Sequence, residues 1–82
     1  MNGVSDWHRV EIADDQTWEE WHYDVVAEGE DGMQPASLRI WRHENGPFEV
    51  ALQFASGERC KMKPTTRTDT NGAKLEVLKR MR

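Results

Sequence analysis

The chain has 82 residues and a net charge of −4, with 37% hydrophobic and 32% charged residues. This length predicts a single domain spanning residues 1–82 with a modest core, because short chains bury a smaller share of their surface. The lone cysteine, Cys60, excludes an intrachain disulfide and favours a reducing, cytoplasmic location. No apolar run reaches the roughly 18 residues that a membrane span needs, so we expect no membrane partner.

The charges are divided unevenly along the sequence. Residues 1–36 hold ten acids and one base, a net charge of −9. Residues 58–82 hold eight bases and three acids, a net charge of +5, and the charges between these segments cancel. An asymmetry of this kind indicates a charged partner for one half of the chain or the other.

Two strands are predicted before residue 30. Residues 7–12 have the composition of a short strand. Residues 21–28 are rich in aromatic and β-branched side chains, which favours a longer strand. Their apolar side chains alternate onto one face: Trp21, Tyr23, Val25 and Ala27.

A helix is the alternative over residues 17–28. Thr17 and Glu20 have the spacing of a capping box, and Gly29 suits the position just after a helix end. We favour the strand because the period-2 alternation is complete. The residues that follow, 30–35, predict a loop.

The strongest element is a hairpin in the middle of the chain. Residues 37–43 and 47–54 alternate apolar and polar side chains, and Asn45-Gly46 between them is a typical hairpin turn. Residues 59–63 alternate bases with Cys60 and Met62, which predicts a further strand at a sheet edge.

One helix is predicted at the C-terminal end, over residues 73–79 or beyond, capped by Thr70 or Asn71. Its apolar stripe would be Leu75, Leu78 and Met81, with Val77 beside it. The predicted fold is therefore α+β, an antiparallel β-meander of four to five strands with one C-terminal α-helix packed on the sheet.

No pattern in the sequence indicates catalysis. The three histidines and Cys60 lack the spacing of a metal site. There is no nucleophile elbow, phosphate loop or dinucleotide fingerprint. We therefore predict that the chain is not an enzyme and uses no metal or cofactor.

The acidic half is the preferred candidate for a partner-binding surface. Aromatic side chains near the acids would supply the contact area that exposed charges alone rarely give. The candidate residues are Asp14, Asp15, Trp18, Glu19, Glu20, Glu28, Glu30, Asp31 and the outward-facing Trp41. This prediction requires the acids to be exposed and not used in internal ion pairs.

Nucleic-acid binding through the basic third of the chain is the alternative. Its candidate residues are Arg59, Lys61, Lys63 and Arg67, which could contact a phosphate backbone. The negative net charge and the lack of interleaved aromatic residues favour the protein-binding interpretation instead.

In size and charge the chain resembles small phage-encoded inhibitors of the anti-CRISPR type. The resemblance covers the whole chain in its length, acidity, scarcity of cysteine and lack of catalytic motifs, and it carries over no individual residue. It implies an inhibitor that binds a nucleic-acid-binding surface of a bacterial defence complex.

Overall fold

The computed structural model describes residues 6–12, 14 and 16–81. Its five strands form one antiparallel sheet in the order β1-β2-β3-β4-β5, and one helix follows them. The elements are β1 (His8–Val10), β2 (Trp18–Gly29), β3 (Gly32–His43), β4 (Glu49–Phe54), β5 (Arg59–Met62) and α1 (Thr70–Arg80). The predicted α+β meander with a C-terminal helix is confirmed.

Residues 18–29, where the sequence allowed either a strand or a helix, form a strand. All 12 residues of β2 pair with β3, and His22 and its neighbours pair with β1 on the other side. The helix alternative for residues 17–28 is therefore wrong. Alternation decides the outcome, because a helix would turn Tyr23 away from the face shared by Trp21 and Val25, whereas the strand turns all three towards the core.

The predicted loop at residues 30–35 is wrong. Only Glu30 and Asp31 form the turn, and Gly32 to Pro35 belong to β3. Gly32 has a φ of +93°, a conformation that favours glycine and allows so short a connection. The result is a long β2–β3 hairpin whose far end extends beyond the rest of the sheet, since β4 pairs with β3 only from Ala36 onwards.

The predicted Asn45-Gly46 hairpin is present, but its turn differs from the expected one. Glu44 adopts the positive φ, +62°, and its amide donates to the carbonyl of Thr17 at 2.7 Å. β4 then begins at Glu49 instead of Pro47, because Phe48 bonds to Thr65 and not to a neighbouring strand.

The helix begins at Thr70, three residues before the predicted start, and of the predicted stripe only Val77 and Leu78 pack against the core. Its N-cap is Asp69, whose carboxylate accepts from the amide of Gly72 at 2.8 Å. The buried helix positions are Gly72, Ala73, Lys74 and Val77, whereas Leu75 and Met81 are exposed. The small Ala73 and Val77 let the helix lie close to the sheet.

The sheet has two unlike faces. One, the helix face, carries α1 and the core, in which Trp7, Leu38, Ile40, Phe48 and Val50 are buried. The other, the open face, consists of the alternate residues of the same strands. On β2 these are Glu20, His22, Asp24, Val26 and Glu28, and on β3 they include Arg39 and Trp41. No helix of the described residues is long and apolar enough to span a membrane.

Candidate functional site

Glu19, one of the predicted partner-binding acids, is used inside the molecule. Its carboxylate lies on the helix face and is only 18% exposed. It accepts hydrogen bonds from Trp21 at 2.8 Å, Thr70 at 2.8 Å and Arg42 at 3.0 Å. These bonds join β2, β3 and the start of α1, so the expectation that Glu19 is exposed is wrong.

A buried lysine lies next to the Glu19 carboxylate. Lys74 of α1 is 4% exposed, and its ammonium lies 3.2 Å from the centre of the Trp21 ring. Burial lowers the pKa of Lys74, while the charge of Glu19 acts in the opposite direction. The ring and the carboxylate together compensate the buried cation. This arrangement stabilises the fold and leaves neither charge available to a partner.

Glu20 is also occupied, on the open face. Its carboxylate is 17% exposed, accepts from Trp18 at 3.0 Å and lies 2.6 Å from Nε2 of His22. Trp41 lies opposite Glu20 in the β2–β3 register and is half-buried, with the guanidinium of Arg59 5.0 Å from its ring centre. The outward orientation predicted for Trp41 is correct, but neighbouring side chains cover part of its ring.

Glu19 and Glu20 accept hydrogen bonds as ionised carboxylates, so we expect the protein to lose stability in acid. Burial favours a higher pKa for Glu19 and Glu20, but their hydrogen bonds outweigh it, and each pKa is below the ordinary 4.5. A carboxylate whose folded pKa is depressed stabilises the fold above its unfolded pKa, and this contribution is lost as pH falls through the folded value. We expect the free energy of unfolding, measured with urea, to fall as pH is lowered below about 4.5.

Glu19→Gln provides the control for this pH dependence. The amide cannot ionise, so the loss of stability between pH 5 and acid should be smaller in this variant than in the wild type. Equal slopes in the two proteins would show that Glu19 does not contribute to the acid sensitivity.

The other predicted acids that the structure describes are exposed. Asp14 is exposed in a turn with a φ of +65°, and Asp15 lies outside the described residues. Glu28, Glu30 and Asp31 are exposed at the far end of the β2–β3 hairpin. The structure therefore divides the predicted acidic surface, because Glu19 and Glu20 bond internally and the hairpin acids face solvent.

The end of this hairpin combines acids with exposed apolar side chains. We call residues 24–35 the acidic tip. Val26 is 65% exposed and Met33 is 66% exposed, and both lie on the open face. The segment contains four acids and no lysine, arginine or histidine. Exposed apolar side chains rimmed by charged residues are a feature that many binding surfaces share.

Glu58 adds a fifth carboxylate to this region. It lies in the turn between β4 and β5, and its Oε1 accepts from the amide of Glu30 at 3.3 Å. A shallow groove of about 220 Å³ lies beside the tip, lined by residues that include Asp24, Pro35, Ser37 and Arg39. It is too open to enclose a small molecule, so the geometry suits a flat partner better than a metabolite.

The predicted basic residues do not all share one surface. Arg59 and Lys61 lie on the open face at β5, where they pair with Gln53 and Ala51 in the register. Arg59 also donates to Gln53 at 3.3 Å. Arg67 lies in the loop before α1, in an ion pair with Asp69 at 3.0 Å. Lys63 follows β5 and is exposed, and nucleic-acid binding by these residues stays a prediction.

No metal centre is visible in the part of the chain that the structure describes. There, no three or more His, Cys, Asp or Glu side chains converge in a way that could hold a metal ion.

The chain matches no known protein-family model, no curated protein and no solved structure. The acidic tip is therefore identified by its geometry alone.

Proposed function

We propose that the chain is a protein-binding module that presents the acidic tip to a basic surface of another protein. The observation that carries this proposal is the exposure of Val26 and Met33 among Asp24, Glu28, Glu30 and Asp31. Apolar side chains supply affinity when a partner covers them, and the surrounding acids select a cationic partner.

The proposed partner is a nucleic-acid-binding protein, and the proposed effect is inhibition. Surfaces that bind nucleic acid are basic because they neutralise phosphates. A small rigid hairpin with four carboxylates would compete with nucleic acid for such a surface. A bacterial defence complex that binds nucleic acid is the partner that the size and acidity of the chain favour.

The protruding shape of the hairpin supports this function. Because β2 and β3 extend past β4, the tip projects beyond the paired part of β4, a shape that suits a concave or grooved surface. The internal bonds of Glu19 hold the base of the hairpin against α1, so the tip is presented by an ordered element. Such preorganisation lowers the entropic cost of binding.

Charge reversal at the tip tests the proposal. The variant E28K/D31K and the control D6K/E11K each raise the net charge by the same amount, and all four residues are exposed. Each protein would be immobilised and exposed to a bacterial lysate, and the retained proteins identified by mass spectrometry. We expect the wild type and D6K/E11K to retain the same nucleic-acid-binding protein and E28K/D31K to lose it.

Inhibition is tested on the protein that is retained. Its binding to a fluorescent single-stranded oligonucleotide should weaken as the wild-type chain is added, and E28K/D31K should have little effect. If E28K/D31K retains the partner as well as the wild type, the acidic tip is not the binding surface. If the partner binds the oligonucleotide equally well with and without the chain, the inhibitor function is wrong.

A further inference from the structure

Within the described part of the chain, the outer edge of β2 is unpaired beyond its first half. β1 pairs with β2 only at Glu20, Trp21 and His22. Among residues 6–12, 14 and 16–81, no other strand lies along the outer side of Asp24 to Gly29. In the described residues this stretch is therefore a sheet edge, and it runs along the acidic tip.

The backbone groups on this edge have a defined direction. Thr17, one position before β2, accepts from the amide of Glu44 through its carbonyl, so it bonds towards β3. Residues of an antiparallel strand alternate in the side to which they bond. Asp24, Val26 and Glu28 therefore direct their N–H and C=O groups outwards, away from β3.

Pro35 gives an independent check of this direction. It lies opposite Val26, and its carbonyl accepts from the amide of Ala55, on the β4 side. The missing N–H of proline therefore removes no bond between β2 and β3. Val26 and Pro35 form a non-hydrogen-bonded pair, as the alternation requires.

We propose that this edge of β2 accepts an extended segment of the partner as an additional antiparallel strand. The proposal rests on the proposed function and defines how the acidic tip engages. Three residues offer outward N–H and C=O groups, and these give main-chain hydrogen bonds to an added strand. Antiparallel pairing continues the arrangement of every other strand in the sheet.

The charges of Asp24 and Glu28 favour a basic segment over a second copy of the chain as the added strand. A second copy of the chain pairing about Val26 would bring Asp24 of one copy opposite Glu28 of the other, and like charges directly opposite each other destabilise pairing. Acids on an exposed edge protect it from self-association in this way. A segment with a base opposite each of these acids, and an apolar residue opposite Val26, removes the repulsion and gains two attractive pairs.

The recognised sequence is thus an alternating one, with basic residues four positions apart and an apolar residue midway between them. The apolar residue would pack on the open face beside Val26, where Met33 also lies exposed. The spacing follows from the period of two residues in a strand.

A peptide of this design tests the inference on the full chain. The probe is the capped heptapeptide Thr-Lys-Thr-Val-Thr-Lys-Thr, titrated against isotope-labelled protein by NMR. We expect shifts centred on Asp24, Val26 and Glu28, and slower hydrogen exchange of their amides. N-methylation of the lysine and valine amides should abolish binding, because these amides would face β2. N-methylation of the threonine amides, which would point away from β2, should not abolish it.

Substitution of Val26 gives a matched test in the protein. Val26→Pro removes the outward amide without breaking a bond to β3, and Val26→Thr keeps that amide in a β-branched residue. We expect Val26→Pro to weaken peptide binding at least about tenfold, which corresponds to ~1.4 kcal/mol, and Val26→Thr to change it much less. Circular dichroism verifies that both variants fold.

The outcomes separate this inference from the proposed function. Binding that is equal for Val26→Pro and Val26→Thr, or shifts centred on β5, would overturn strand addition. If strand addition is overturned but E28K/D31K still loses the partner, the acidic tip binds the partner through its charges and not through the strand edge. Self-association of the free protein through the same amides, measured by sedimentation, would show that a second copy is the occupant and overturn the choice of a basic segment.

Discussion

Truncation of Phe48 to alanine is expected to lower the free energy of unfolding by about 3–5 kcal/mol. Phe48 is fully buried in the core, and the guanidinium of Arg42 lies 4.4 Å from its ring centre. Its backbone is tied to Thr65, which donates its amide to the Phe48 carbonyl at 2.9 Å. The side chain thus fills the space between β4, the loop before α1 and the Arg42 network.

The expected loss is a large share of the total for a chain of this size. Domains are stable by roughly 0.05–0.15 kcal/mol per residue, which gives about 4–12 kcal/mol for a chain of 82 residues. Urea denaturation followed by tryptophan fluorescence measures the change. Phe48→Leu is the control, because it keeps most of the apolar volume. Equal stabilities for the alanine variant and the wild type would show that the Phe48 site is not a packed part of the core.

Replacing Glu19 with alanine is expected to cost about 2–4 kcal/mol. The substitution leaves the Trp21 indole N–H, the Thr70 hydroxyl and the Arg42 guanidinium without their shared acceptor. It also leaves the buried Lys74 ammonium without a nearby negative charge. Removing one member of a partly buried charged network costs more than removing an exposed charge, because the remaining groups stay desolvated.

Glu28→Ala is the matched control for Glu19→Ala, since both remove one carboxylate from β2. Glu28 is exposed, so its loss should change the free energy of unfolding by no more than about 0.5 kcal/mol. Glu28→Ala should weaken partner binding more than Glu19→Ala does, because Glu28 belongs to the acidic tip and Glu19 does not. Similar stabilities for Glu19→Ala and Glu28→Ala would contradict the role given to the Glu19 network.

The strands could be predicted because their side chains alternate with a period of two. This signal predicted β4 and β5 to within two residues, identified residues 37–43 of β3 and favoured a strand over a helix for β2. The turn at Glu30-Asp31 was missed because Gly29, Gly32 and Pro35 suggest a loop. The tertiary arrangement overrides this composition, since Gly32 takes the left-handed turn position and Pro35 lies where its missing N–H costs no bond to β2.

The division of the acids could not be predicted from composition. Glu19 and Glu20 are adjacent in sequence, but in a strand they lie on opposite faces, and each meets partners that are distant in sequence. Arg42 and Thr70, which bond to Glu19, are supplied by β3 and α1. Asp24 and Val26 were not proposed as site residues. The signal that identifies them is the alternation of Asp24, Val26 and Glu28 on the face opposite Trp21, Tyr23 and Val25.

The most direct test of the acidic tip is the rate of association with the captured partner at several salt concentrations. Acids that steer a partner raise the association rate, and salt weakens this effect because the Debye length shrinks. We expect E28K/D31K to associate at least about tenfold more slowly than the wild type at low salt, and the difference to shrink as salt is added. D6K/E11K, with the same net charge, should stay much closer to the wild type. Equal slowing of the two variants would mean that only net charge matters, and this result would contradict binding through the acidic tip.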